Sequence, residues 1–222
     1  GPVTIAAPGS YVLTSNLNVG GASAVIITAS NVTLDLNGFT IAGSLDNFGI
    51  VLGGNTRNVI IRNGTIRSFA QGILNTGVTI VSLSNLTITQ NLRNGVGFDR
   101  DGIGVFIDGC IIQGNQQDGV VALGSLMVIT NSTVVGNGRD GIELSGSANV
   151  VIRGNRVGDN GGSGIHAAID FPGDSAPGGT ILDNVLFHNA RFGIETSSAA
   201  GTFPDLTIAK NLATGNALGN YT

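Results

Sequence analysis

A six-residue motif recurs about every 23 residues along most of this chain. Most copies have Asn, two variable residues, a small polar residue, Gly and then Ile or Val, as in Asn137-Gly-Arg-Asp-Gly-Ile142. The motif glycines are Gly49, Gly72, Gly95, Gly119, Gly141, Gly164 and Gly193. A fixed period of this size indicates a solenoid, in which each repeat buries its apolar face only against its neighbours. The unbroken repeat therefore predicts a single domain over residues 1–222 and confines function to its outer surface.

Short β-rich segments lie between the turn residues. Val59-Ile-Ile-Arg-Asn63 and Val150-Val-Ile-Arg-Gly154 are two of them, and each closes on Asn or Gly. Because Gly and Asn interrupt the chain every five to eight residues, the pattern predicts three short strands per repeat and no helix. Strands of successive coils would pair in parallel, about 4.8 Å apart. The motif Asn side chains would then stack into a ladder that satisfies buried polar groups.

The beginning of the chain resembles a known family. Pro8-Gly-Ser-Tyr-Val-Leu13 followed by Asn31-Val-Thr-Leu-Asp-Leu-Asn-Gly-Phe-Thr-Ile41 is similar to the opening of bacterial pectate-lyase-like right-handed parallel β-helices. The resemblance covers nearly the whole chain. It implies an all-β fold, a single-stranded right-handed parallel β-helix of about eight coils. It also implies an extracellular bacterial protein, secreted or held at the cell surface.

The two ends of the chain carry separate expectations. The family places a cap over its first coil, which would correspond to residues 1–23, with the coils over residues 24–222. Gly1-Pro2 is typical of a protease-cleavage scar, so a leader is expected to have been removed. The C-terminal end shows no cap in the sequence, which predicts either a longer protein or pairing with another chain.

Composition narrows the range of functions. The net charge of -4 and the scattered Lys and Arg residues argue against nucleic-acid binding. No apolar run approaches the roughly 20 residues of a membrane span. The resembled superfamily contains lyases, hydrolases, epimerases and non-catalytic surface proteins, so it implies contact with glycans without fixing any chemistry. The paired Asp-Asp, Gly-His-Gly and Arg-rich motifs of its sugar-cleaving members are absent from this sequence.

Two functions therefore stay open at this stage. A structural or carbohydrate-binding surface module that contacts glycans without catalysis is slightly favoured. The alternative is an enzyme acting on a polysaccharide of acidic sugars, as a lyase, hydrolase or epimerase.

One outward column contains much of the chemistry that the alternative needs. The residue after each Gly-Ile pair should point outward, because side chains alternate along a strand. Down the coils this position reads Val51, Leu74, Gly97, Val121, Glu143, His166 and Glu195. Stacking predicts His166 about 5 Å from each carboxylate, where the three groups could perform acid–base chemistry or bind a metal. The alternative is an exposed ladder of mixed charge without a function, in which each pair contributes a few tenths of a kcal/mol to stability.

Further candidates surround this column. The longer segments 170–177 and 197–205 follow it directly, and such insertions often form one wall of a binding groove. The candidates for the rim of this groove are Asp140, Asp170, His188 and Arg191. The candidate ligands of a calcium ion are Asp99, Asp101, Asp118 and Asp140. Asp before Gly is also a common turn residue, which is the competing explanation for the last two.

A second outward column predicts a contact between copies of the chain. It reads Ile60, Ser82, Phe106, Val128, Val151, Ile181 and Ile208. An exposed apolar stripe of this length usually marks an interface, so it predicts a homo-oligomer. The alternative is that strand bending or a covering loop buries these side chains.

Overall fold

The computed structural model describes residues 1–77, 80–98, 104–123, 126–145, 149–169, 177–198, 203 and 205–222, apart from the side chain of Ser198. Strands and turns account for these residues, and none of them belongs to a helix long and apolar enough to cross a membrane. The strands are arranged in two sheets, one of ten strands and one of sixteen. The predicted all-β architecture is confirmed.

The first sheet stacks one strand from each coil. Its strands are β1 (Val3–Ile5), β4 (Val25–Ile27), β7 (Phe48–Leu52), β9 (Gln71–Asn75), β11 (Val96–Phe98), β14 (Val120–Ala122), β17 (Ile142–Ser145), β20 (Ile165–Ile169), β23 (Phe192–Ser198) and β26 (Gly219–Tyr221). All its pairings are parallel. The two edge strands, β1 and β26, come from the two ends of the chain, so eight of the ten strands lie between them. The predicted solenoid of about eight coils is confirmed.

The second sheet supplies the other two strand positions of each coil. The first position holds β2 (Gly9–Val12), β5 (Val32–Asp35), β8 (Val59–Arg67), β10 (Val81–Thr89), β12 (Val105–Asp108), β15 (Leu126–Thr130), β18 (Asn149–Arg153), β21 (Gly179–Leu182) and β24 (Leu206–Ala209). The second position holds β3 (Leu17–Asn18), β6 (Thr40–Ala42), β13 (Ile111–Gln113), β16 (Thr133–Val135), β19 (Arg156–Gly158), β22 (Val185–Phe187) and β25 (Leu212–Thr214). The long strands β8 and β10 pass through both positions, so the sheet turns a corner between them.

Left-handed backbone conformations produce that corner. Asn63 and Asn85 have φ of 60° and 51° within β8 and β10, and Gly109, Asn131 and Gly154 occupy the same place in the next coils. Asn and Gly tolerate this region of φ better than other residues do. The turn residues that mark the repeat in the sequence are therefore the residues that bend each coil.

The predicted Asn ladder is present inside the solenoid. Asn115 Oδ1 accepts hydrogen bonds from the backbone N–H of Asn91 at 3.2 Å and from its side-chain amide at 2.8 Å. The same two bonds join the following motif residues, which are Asn137, Asn160, Asn189 and Asn216. The ladder satisfies buried polar groups in every turn that it crosses, and it fixes the coils in register.

Residues 1–23, for which a cap was predicted, contribute β1, β2 and β3. These strands pair with β4, β5 and β6, so this segment continues the same three strand positions as the coils after it. Val3 and Val12 on this segment are exposed, whereas Ile5 is buried in the core.

The predicted apolar stripe is partly wrong. Val151 pairs with Thr180, and Thr180 pairs with Thr207, so the outward column continues through threonines. Ile181 pairs with Ile152 and is fully buried, and Ile208 lies in the same inward column. In β21 and β24 the predicted alignment is wrong by one residue, and a shift of one residue moves every side chain of a strand to the opposite face. The outward apolar residues are Ile60, Phe106, Val128 and Val151, and contact between copies through them stays a prediction.

Candidate functional site

Three neighbouring strands of the first sheet align the candidate catalytic residues. Glu143 of β17 pairs with His166 of β20, and His166 pairs with Glu195 of β23. The whole predicted column, from Val51 to Glu195, has this register. Parallel pairing places equivalent residues of adjacent coils side by side, which brings ionisable groups together from positions over 20 residues apart in sequence.

His166 is the centre of a compact group. Its Nδ1 lies 2.7 Å from Glu143 Oε2 and 3.3 Å from Asp140 Oδ2, and its Nε2 lies 2.7 Å from Ser197 Oγ. The side chains of Asp140, Glu143 and His166 are each 15% exposed. We call these three residues the acid–base trio. Their low exposure differs from the solvent-exposed charge ladder that was the alternative interpretation of this column.

Glu195 is held by other partners. Its Oε2 accepts a hydrogen bond of 2.5 Å from Ser163 Oγ, and its Oε1 lies 2.7 Å from Arg191 Nη2. The Glu195 side chain is 8% exposed, so the charge is buried and paired. His166 was predicted beside the carboxylates of both Glu143 and Glu195. It contacts Glu143 and Asp140 instead, while Glu195 forms an adjacent ion pair with Arg191.

Asp140 enters the trio through its place in the turn motif. In several consecutive coils the polar side chain before the motif Gly accepts a hydrogen bond from the backbone N–H of its equivalent in the next coil. Asn94 Oδ1 accepts from Asp118, Asp118 Oδ1 from Asp140, and Asp140 Oδ1 from Ser163. This bond fixes the Asp140 carboxylate and leaves Oδ2 to meet His166. The sequence predicted Asp140 at the rim of the groove and as a calcium ligand, but not beside His166, although the repeated polar residue before Gly was the visible signal.

The pKa values of the trio diverge from their usual values. Burial raises the pKa of Glu143 to about 7, and this outweighs its favourable contact with His166. Burial would lower the pKa of His166, but its hydrogen bonds to Asp140 and Glu143 raise that pKa to about 10. Burial also opposes ionisation of Asp140, yet hydrogen bonds from His166 and the Ser163 N–H leave the pKa of Asp140 lowered. Near neutral pH the trio therefore holds an imidazolium, a carboxylate and a half-titrated Glu143.

The trio should make the stability of the protein depend on pH. Because the pKa of His166 is raised from 6.5 to about 10 on folding, its contribution is complete below pH 6.5 and is lost as the pH rises to about 10. Glu143, raised from 4.5 to about 7, acts with the same sign at lower pH. We expect a slope of up to about 1.4 kcal/mol per pH unit for each proton. Urea unfolding from pH 5 to 10 measures it.

His166→Gln is the matched variant for that measurement. It keeps a polar side chain at this position and removes the titrating ring, so its unfolding free energy should change much less between pH 7 and 10. Parallel pH curves for the variant and the wild type would contradict the raised pKa of His166.

A groove of about 440 Å³ opens over the trio. Its lining includes Gln117, Arg139 and Arg191 beside Glu143 and His166. Ser145, two residues beyond Glu143, also lines the groove; its buried Oγ has no hydrogen-bond partner within the described part of the chain. The groove therefore joins charged, amide and hydroxyl groups, which is a surface suited to a polar ligand.

The trio could also hold a metal ion. One ligand atom from each of its residues lies within 4.8 Å of the others. An imidazole with two carboxylates suits a first-row divalent ion better than calcium, which prefers oxygen ligands. A metal at this place would have to replace the Nδ1 proton of His166, and the raised pKa of His166 opposes that exchange at neutral pH.

The predicted calcium site stays a prediction. Asp99 and Asp101 lie outside the described residues. Burial raises the pKa of Asp118, whose Oδ2 is 4.0 Å from Arg139 Nη1, while Asp140 contacts His166. A thermal-shift titration with calcium on the wild type and Asp118→Asn would test these two carboxylates.

The remaining rim candidates separate in the structure. Arg191 lines the groove beside the trio. His188 follows β22 of the second sheet, where its Nδ1 lies 3.6 Å from Asp159 Oδ1, so its described contacts are on another face. Asp170 lies outside the described residues, as do residues 171–176 and 199–202 of the two insertions that were expected to wall the groove.

Among solved structures, the chain is similar to the A-modules of two mannuronan C-5 epimerases of Azotobacter vinelandii. For AlgE4 the identity is 11%, over 97% of this chain and 89% of that chain, with a TM-score of 0.48. For AlgE6 the identity is 13%, over 95% of this chain and 82% of that chain, with a TM-score of 0.43.

No curated protein matches the chain by sequence. The family model for the right handed beta helix region matches residues 71–221, which is more than half of the chain. Together with the parallel strand register, this match shows that the chain belongs to the right-handed parallel β-helix family.

Proposed function

We propose that this protein is a polysaccharide-acting enzyme whose groove performs acid–base chemistry with the trio. The observation that carries the proposal is the contact of 2.7 Å between Glu143, whose pKa is raised to about 7, and His166 on the floor of an open groove. A carboxyl group that titrates near neutral pH can both take and return a proton during a catalytic cycle. Ionisable groups with strongly shifted pKa values occur most often at active sites.

Glu143 is the general base in this proposal. Its Oε2 lies 2.7 Å from His166 Nδ1, and its carboxyl group lines the groove, where it can take a proton from a bound sugar. His166 and Asp140 hold the carboxylate in place, and Ser197 fixes the far side of the imidazole ring. Arg139 and Arg191 lie at the groove and can donate to an acidic sugar.

The reaction class that fits these groups begins by removing the proton next to a uronate carboxylate. The C–H bond breaks, its proton goes to Glu143, and its electron pair moves into the sugar carboxylate, where a guanidinium offsets the charge. Delivery of a proton from a water molecule to the opposite face gives an epimer, and Glu143 then loses its proton to solvent. Cleavage of the neighbouring C–O bond, with a proton going to the departing oxygen, gives an unsaturated product.

A non-catalytic glycan-binding module is the second candidate. The observation that favours it is that each carboxylate of the site has an internal partner, such as Arg191 for Glu195. A site built only for binding would need the groove and its donors but no titrating Glu143. A location outside the cell belongs to both proposals, since polymeric glycans are found there.

A screen of acidic and neutral polysaccharides tests the proposed function. Ultraviolet absorbance detects unsaturated products, a reducing-end assay detects hydrolysis, and exchange of solvent deuterium into the sugar detects epimerisation. We expect turnover of an acidic polymer with either the first or the third signal. Binding of a polymer without any of the three signals would favour the second candidate, and binding to none of the panel would refute both.

A further inference from the structure

A column of arginines follows the groove along the solenoid. The residue two places before each motif Gly stacks on its equivalent in the next coil through backbone hydrogen bonds. Gln117 N–H donates to Arg93 O, Arg139 N–H to Gln117 O, Gly162 N–H to Arg139 O and Arg191 N–H to Gly162 O, at 2.7–3.2 Å. The column therefore reads Arg93, Gln117, Arg139, Gly162 and Arg191 in successive coils.

Within these five coils arginine occupies every second position, and the same column continues with Ala70 before Arg93 and Leu218 after Arg191. Adjacent coils are about 4.8 Å apart, so guanidinium groups recur about every 10 Å along the axis. The gap at Gly162 has a steric cause, because a side chain there would collide with Asp140 Oδ1 of the trio. Arg93, Arg139 and Arg191 thus form a regular row, which we call the arginine row, next to the acid–base trio.

Among the described residues of this region, the arginine row carries the solvent-facing charge. The side chains of Arg139 and Arg191 are 67% and 47% exposed, and Arg93 is exposed as well. The nearby carboxylates are turned inward, since the side chains of Asp118 and Glu195 are 9% and 8% exposed and accept hydrogen bonds from Asp140 N–H and Ser163 Oγ respectively. A ligand lying on the groove would meet guanidinium groups before it met carboxylates.

We infer that the arginine row binds carboxylates on alternate sugars of an extended acidic polysaccharide that lies along the solenoid axis. This inference rests on the proposed function, from which it takes the polysaccharide ligand. An extended 1,4-linked pyranose chain advances by nearly the same distance per sugar as the solenoid does per coil. In a two-fold conformation it turns the same edge outward on every second sugar, so a row with arginine in every second coil meets one set of carboxylates. Arginine suits this task because its guanidinium binds carboxylate in a bidentate manner.

The test moves one arginine by one coil without changing the net charge. Binding is measured by calorimetry in the Glu143→Gln background, so that the ligand is not consumed. The probes are β-1,4-linked glucuronate and mannuronate oligosaccharides and their carboxyl-reduced counterparts of equal length. Arg139→Gln removes the central arginine, and Arg139→Gln with Gln117→Arg moves it to the neighbouring coil. Arg153→Gln removes an exposed arginine from β18 on another face and serves as the control.

We expect Arg139→Gln to weaken binding of a uronate oligosaccharide about tenfold, and the relocated arginine to leave it equally weak. The Arg153→Gln variant should bind like its parent. If the relocated arginine restores affinity to within about twofold, general charge attraction explains binding and the inference is refuted. Equal binding of the carboxyl-reduced probes would also refute it while leaving the proposed function standing. Binding of neither uronate probe would also refute the inference, whereas the proposed function is refuted only by the polysaccharide screen.

Discussion

Glu143→Gln is expected to abolish turnover of the polysaccharide while the solenoid stays folded. The amide oxygen of Gln can still accept the hydrogen bond from His166 Nδ1, which is 2.7 Å long in the native protein, but the amide cannot take a proton. Loss of a general base costs about 10²- to 10⁴-fold in rate. Initial rates on the polymer found in the screen, together with the melting temperature, measure the two effects separately.

Asp183→Asn provides the matched control. It makes the same change from carboxylate to amide at an exposed site on another face, where Asp183 pairs with Arg153 at 3.0 Å. This variant should keep the wild-type rate. If Glu143→Gln keeps more than a tenth of the wild-type rate, Glu143 is not the base.

The pH dependence of the same reaction separates two roles for Glu143. As a base it must be ionised while His166 stays protonated, so kcat/KM should rise with a pKa of about 7 and fall with a pKa of about 10. An acid role would instead give activity that declines as the pH rises through 7.

The largest loss of stability is expected from Gly141→Ala. A Cβ at this position would lie 2.6 Å from the carbonyl oxygen of Gly164 and 2.6 Å from Val157 Cγ1 in the next coil. The backbone of the next coil cannot move away from this Cβ without disturbing the Asn ladder, because the side-chain amide of Asn160 lies 2.8 Å from the Cβ position. We expect the unfolding free energy to fall by about 3 kcal/mol or more, as overpacking of a rigid core does. Urea unfolding at neutral pH measures it.

Gly20→Ala is the control for that variant. A Cβ at Gly20 would meet nothing within 4 Å, and the residue does not have a left-handed backbone. Its unfolding free energy should change by less than about 0.5 kcal/mol. Equal stability of the two variants would mean that the coils can separate locally at Gly141. It would contradict the view that the motif glycines are needed for the close approach of adjacent coils.

Much of the fold and one row of the site could be predicted from the sequence. The constant repeat length fixes which residues lie in adjacent coils, and strand alternation decides which of them point outward. These two rules were enough to place Glu143, His166 and Glu195 side by side, as the pairing of β17, β20 and β23 confirms. They failed at Ile181, where the corner is formed by Asp183 with φ of 55° rather than by Asn184, a difference of one residue.

The solenoid, its Asn ladder and the outward row of Glu143, His166 and Glu195 can thus be predicted from the repeat, because they follow from periodicity along the chain. Which charges meet is visible only in the folded protein. In the structure His166 contacts Glu143 and Asp140, whereas Glu195 contacts Ser163 and Arg191. The partner of a side chain depends on its rotamer, its burial and the donors within reach. These are set by contacts between neighbouring coils, which the sequence pattern does not specify.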